Sequence, residues 1–112
     1  MSQFYEQVAR FTIAHAEADY VVLESTGLQL VIVVMPAHIA SSIKIETPPV
    51  RREDTPIKLV FPVPSISQAR IAAAKYGGAL NDAAQEWMFQ GNRVCDGHDP
   101  EGNVIQFYEQ VP

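Results

Sequence analysis

The side chains in this sequence that could carry acid–base or metal chemistry are few and scattered. His15, His38 and His98 are candidates for acid–base work, since imidazole is the side chain suited to it near neutral pH, yet no two of them have the spacing of a metal-ligand pair. His98 stands beside a tight turn, where contact with Asp99 is its simplest role, while His38 falls just outside a strand and His15 on one. Cys95 becomes a reactive thiolate only next to a positive group. Arg93, two positions away on the same strand face, offers one, but a lone cysteine reads more simply as a small buried hydrophobe. Asp96, Asp99 and Glu101 crowd one short region. Asp99 serves the turn through its carboxylate, and the other two read as solvated. A nucleophile elbow, a phosphate loop, a dinucleotide fingerprint and a C-x-x-C pair are all missing from the sequence.

The aromatic residues say more. Trp87 and Phe89 share strand parity, and Tyr108 shares parity with Gln106 and Val104, so each set presents one face of a sheet. Lys58 lies on a strand of the same half of the chain.

Local patterning supplies the elements that must position these groups. Residues 2–10 read as a short helix with Ser2 as N-cap and Phe4 and Val8 on one face. Strands follow around Phe11, Ile13 and His15 and at residues 20–23, with a turn at Ser25-Thr26-Gly27. Residues 28–35 are almost wholly apolar, the pattern of a strand covered on both faces. Residues 36–55 form a linker with Pro48-Pro49, and a short strand around Ile43-Lys44-Ile45 fits inside it. Residues 57–63 form a strand in which Pro62 needs no ladder bond on its side. Ser65-x-x-Gln68 is a capping box opening a helix that Gly77-Gly78 stops. Strands are expected at 79–83, 86–95 and 103–108, the last two joined by a tight turn at Asp99-Pro100-Glu101-Gly102. The sequence Gln-Phe-Tyr-Glu-Gln-Val occurs twice, at residues 3–8 as expected helix and at 106–111 as expected strand.

Length and charge bound the function. A chain of 112 residues buries roughly two-thirds of its unfolded surface, enough for one core without staples. Eight basic residues against thirteen acidic give a net charge of −5, and Arg51-Arg52 is followed at once by Glu53-Asp54 and reads as locally neutralised. That balance argues against a nucleic-acid partner. One cysteine fits a reducing, cytoplasmic setting and excludes an internal disulfide. The longest apolar stretch, residues 30–36, is too short to cross a bilayer, so no membrane role is expected.

The stretch from Asp99-Pro100-Glu101-Gly102-Asn103 to Val104-Ile105-Gln106-Phe107 resembles the closing D-P-x-G-N-x-x-E hairpin of the vicinal oxygen chelate superfamily. That superfamily takes in glyoxalase I, the bleomycin-resistance proteins and the extradiol dioxygenases. Phe4-Tyr5-Glu6 resembles the F-Y-x-x-V segment of its first helix, and Val63-Pro64 through Gly77-Gly78 its second strand-to-helix segment. The resemblance implies an α+β fold of two βαβββ-type modules whose curved antiparallel and mixed sheets surround a cleft. Module one would be residues 1–35, lacking its opening strand, and module two residues 56–112, in a single domain.

Members that use a metal hold it on cleft-facing residues from the first and last strand of each module. Here the first of those strands is absent, residues around Ile32 are aliphatic, the third position holds Lys58 and the fourth Gln106. A protonated lysine repels a divalent cation. If Gln106 faces the cleft as its counterpart does, Val104 and Tyr108 face it too, with Lys58 beside them. Lys58, Trp87, Phe89, Gln106 and Tyr108 are therefore the expected ligand-binding residues, and no cofactor is expected. The expected function is metal-free binding of a small aromatic or amphipathic molecule. One alternative is a lyase or dioxygenase with a rearranged site for a divalent metal, and the other an assembly module without ligand. Loss of an edge strand leaves unpaired backbone groups, so a homodimer is expected to cover them.

Overall fold

The computed structural model describes residues 1–111. The chain opens with α1 (Ser2–Gln7), whose six residues are too few to hold a helix on their own. Burial of Phe4 and Tyr5 holds it in place. Met1, not Ser2, occupies the N-cap position, and no side chain caps this end. Arg10 takes a left-handed φ of 67°, turning the chain so that Phe11 N–H donates to the Tyr5 carbonyl at 3.1 Å.

Three antiparallel strands follow, β1 (Thr12–Ala16), β2 (Tyr20–Ser25) and β3 (Leu28–Val33), in the order β1-β2-β3. The register pairs Val21 with Ile32 and Leu23 with Leu30 on the face that packs on the core. Tyr20, Val22, Val31 and Val33 share the opposite face. Sequence patterning puts residues 28–35 in a strand covered on both sides. The structure corrects this: Leu30 and Ile32 are partly buried, but Val31 and Val33 are 47% and 64% exposed. The outer edge of β3 has no partner strand among the described residues.

The linker carries one short helix, α2 (Ala37–Ala40), and no strand at Ile43–Ile45. It then rejoins the second half through a parallel bridge between Arg52 and Asn103.

The second half comprises β4 (Leu59–Pro62), α3 (Ile66–Lys75), β5 (Ala79–Leu80), β6 (Trp87–Phe89), β7 (Asn92–His98) and β8 (Val104–Gln110). The sheet order is β4-β8-β7-β5, with β6 pairing β7 and β4 running parallel to β8. Pro62 sits on an edge strand, where its missing N–H breaks no ladder. Residues 86–95 are expected as one strand. They instead fold back as a hairpin at Gln90-Gly91, where both residues take positive φ.

Ser65 caps α3, its hydroxyl accepting from Gln68 N–H at 3.2 Å, and Glu109 of β8 accepts from Ile66 N–H at 2.7 Å. A free helix N-terminus favours a carboxylate for the same reason. Gly77, at φ 91°, ends the helix.

One core joins both halves. Phe11 and Phe61 stand edge to face at 5.4 Å, Tyr5 meets Phe61 at 6.0 Å, and Phe61 leads to Phe107 at 6.1 Å. Edge-to-face pairs add about 0.5–1.5 kcal/mol each beyond their buried area. Leu23 joins the same cluster from the first sheet, so α1 contacts a core shared by both sheets.

Candidate functional site

The face of the second sheet turned away from α3 can be read from its register. Val94 lies opposite both Trp87 and Tyr108, Asp96 opposite Gln106, and Gln106 beside Val60 of the parallel strand. Side chains directly opposite share a face. Trp87, Phe89, Gln106 and Tyr108 therefore stand on one side of the sheet, and Lys58 joins them through its bond to Asp96. The alternate positions Phe61, Cys95, Ile105 and Phe107 are buried on the other side.

Within this face the groups divide into two. Trp87 and Phe89 are 41% and 55% exposed on the short strand β6, an apolar shelf with Tyr108 half-buried across Val94. Lys58 and Gln106 converge on Asp96. Lys58 Nζ lies 2.9 Å from Asp96 Oδ2, and Gln106 Nε2 donates to Asp96 Oδ1 at 2.9 Å. Asp96 reads from sequence as solvated; in the fold its side chain is only 20% exposed and both of its oxygens are engaged. The signal was there to be counted, since a tight turn at 99–102 sets His98 opposite Val104 and hence Asp96 opposite Gln106.

The remaining candidates take structural roles. Asp99 is fully buried: Oδ1 accepts from Glu101 and Asn103 N–H at 2.9 and 3.0 Å, and Tyr5 donates its hydroxyl to Oδ2 at 2.6 Å. Burial, and then the charge of Asp99, hold the Tyr5 hydroxyl in its protonated form well past the usual tyrosine range. His98 Nδ1 lies 2.9 Å from the Asp99 carbonyl oxygen, and His15 pairs with Glu17 at 2.8 Å on the surface.

Cys95 is buried and donates to the Asn81 carbonyl at 3.4 Å. Burial pushes its thiol up, and the guanidinium of Arg70, 3.7 Å from Sγ, only partly offsets this. That is the opposite of an activated thiolate. Arg93 turns instead to Glu86 and Glu109.

No family model matches the chain, and no curated protein matches it in sequence. Solved structures do. A glyoxalase/bleomycin resistance protein/dioxygenase family enzyme from Burkholderia phytofirmans PsJN aligns with a TM-score of 0.67 at 18% identity, over 99% of this chain and 88% of that one. A genomically encoded fosfomycin resistance protein from Listeria monocytogenes aligns at 0.63 and 13% identity, over 98% of this chain and 81% of that one. A bleomycin-binding protein complexed with bleomycin aligns at 0.53 and 13% identity, over 96% and 85%. This is the vicinal oxygen chelate fold.

In the vicinal oxygen chelate fold of this chain, β4, α3, β5, β7 and β8 build the second module, with β6 as an added ribbon. The first module has its helix and three strands, and no strand among the described residues stands beside β3 as β4 stands beside β8. An ammonium from Lys58 and an amide N–H from Gln106 both point at the carboxylate of Asp96, and the part of β3 around Ile32 is aliphatic. Among the described residues no group of three or more His, Cys, Asp and Glu side chains is placed to hold a metal ion. No helix among them is long and apolar enough to cross a membrane.

Proposed function

We propose that this protein binds a small aromatic or amphipathic molecule without a metal, on the sheet face carrying Lys58, Trp87, Phe89, Gln106 and Tyr108. The observation that carries the reading is the juxtaposition on that face of exposed aromatic rings and a polar cluster in which Lys58 and Gln106 both hold Asp96. Rings supply apolar area at small entropic cost, and a few fixed polar groups orient the ligand. Two structural neighbours support the choice of class, one complexed with bleomycin and one a fosfomycin resistance protein.

The protein acts as a homodimer in this reading. The face of the first sheet bearing Val31 and Val33 is uncovered in the single chain, and a second copy covers it, leaving the aromatic face of the second sheet open to the ligand. A buried, unactivated thiol suits a reducing cytoplasm.

The test is a thermal-unfolding scan of chelator-treated protein with nickel, zinc, manganese or ferrous iron, and separately with hydrophobic anions. Stabilisation by an organic ligand with none from any metal is the expected result. A metal at a hundred times its dissociation constant would add about 2.7 kcal/mol, and such a shift would replace this reading with a metal-dependent enzyme.

A further inference from the structure

The linker between the modules forms one wall of a recess of about 180 Å³ whose floor includes Lys58, Asp96 and Val104. Its wall carries Arg51, Arg52, Glu53 and Thr55. The wall is fixed in place by the backbone: Arg52 N–H donates to the Gly102 carbonyl at 2.8 Å, and Arg52 bridges in parallel to Asn103. Gly102 permits this approach, because a Cβ there would lie 2.1 Å from the Val50 carbonyl oxygen.

Both arginines are half-buried as residues and their guanidinium groups are held by neutral acceptors, the Arg51 bond part-buried and the Arg52 bond exposed. Arg51 Nη2 donates to Asn81 Oδ1, and Arg52 Nε donates to the Glu101 carbonyl at 3.1 Å. Neither forms an ion pair with a carboxylate among the described residues, so Glu53 and Asp54, though next in sequence, make no direct contact with either guanidinium. Each guanidinium has five N–H donors, and only one of each is used in these contacts. In a chain of net charge −5, this recess gathers three cations against the two carboxylates Glu53 and Asp96.

We infer that the recess takes the oxyanion end of the cleft ligand, a carboxylate, sulfonate or phosphate group, on Arg51 and Arg52. The inference rests on the reading of the neighbouring sheet face as a ligand cleft. The planar guanidinium fork matches such a group with two parallel hydrogen bonds, and partial burial strengthens them over their value in water. Lys58, tied to Asp96, contributes its field to the same end.

The experiment compares two fluorescent probes, anilinonaphthalene sulfonate and phenylnaphthylamine, its neutral counterpart. The sulfonate is expected to bind more tightly, and R51Q/R52Q to weaken it about tenfold while leaving the neutral probe unchanged. R51K/R52K, which keeps the charge but loses the fork, is expected to fall between. Inorganic phosphate is expected to displace the sulfonate from the unaltered protein and leave the neutral probe bound. This last measurement decides the matter if R51Q/R52Q unfolds. Equal binding of both probes, insensitive to phosphate and to R51Q/R52Q, would overturn the oxyanion recess and leave the cleft standing. Failure of both probes to bind at all would remove the cleft itself.

Discussion

Tyr5 in the first helix donates its hydroxyl to Asp99 in the final hairpin across 2.6 Å, tying together groups 94 residues apart in sequence. Asp99 in turn receives both backbone N–H groups of its own turn and the side-chain amide of Asn103 at 2.8 Å. Replacing Tyr5 with Phe keeps the ring in the aromatic cluster and removes only the hydroxyl. The expected loss is about 1–3 kcal/mol, the cost of a buried carboxylate left short of one donor, read from denaturant unfolding.

The same hydroxyl sets an alkaline limit. Tyr5 and Cys95 are acids whose folded values lie above the ordinary 10.0 and 9.0, so the unfolded chain releases these protons first. Their contribution is complete below those ordinary values and is lost as pH rises through the folded ones. Stability should begin to fall near pH 9 and fall faster past 10. Cys95→Ala should remove the first part of the decline and Tyr5→Phe the second; identical slopes in all three proteins would contradict the assignment.

The cluster of Lys58, Asp96 and Gln106 gives a prediction about metals. Lys58→Met should change stability by no more than about 1 kcal/mol, since the ion pair is partly exposed. Lys58→His combined with Gln106→Glu, with Asp96 kept, replaces an ammonium and an amide with two metal ligands. That double variant should be stabilised by zinc or nickel in a thermal scan where the parent protein is not.

Trp87 and Phe89 are exposed, so truncating both to Ala should leave the unfolding temperature nearly unchanged. Binding of phenylnaphthylamine should nevertheless weaken by about tenfold or more, as expected when buried rings supply most of the contact. Unchanged affinity, measured by fluorescence titration, would move the site elsewhere.

Light scattering over a dilution series should give the mass of a dimer. Val33→Lys, at a position 64% exposed in the single chain, should shift the protein toward monomer without unfolding it. A monomer at all concentrations would leave the valine face uncovered and end the dimer proposal.

Much of the second module was legible because its signals are local. The Ser65 cap, the paired glycines and the Asp99–Gly102 turn each encode a backbone geometry in a few residues, and all three appear where expected, although Gln68 does not return the reciprocal bond of a full capping box among the described residues. The hairpin at Gln90-Gly91 was missed because Trp87-Met88-Phe89 and Arg93-Val94-Cys95 each satisfy strand patterning, and only Gly91 marked the reversal. The valine run of β3 misled for a different reason. Periodicity reports that a strand is apolar on both faces, not which chain covers the second one. The partners of Arg51 and Arg52 were illegible because nearest neighbours in sequence predict pairing poorly in an extended linker. Their hydrogen-bond partners come instead from residues 81 and 101.

The sequence Gln-Phe-Tyr-Glu-Gln-Val is helical where it enters α1 and extended where it enters β8. Phe4 and Phe107 are both fully buried, yet Tyr5 reaches Asp99 while Tyr108 stands across Val94 from Trp87, and Glu109 caps α3 while Glu6 makes no side-chain hydrogen bond among the described residues. Two identical words with different meanings take those meanings from their sentences. Because the two copies are identical, what makes one coiled and the other extended lies in the residues around them. A search for what determines the conformation of these segments should therefore start at Arg10, Asp99 and the strands flanking β8.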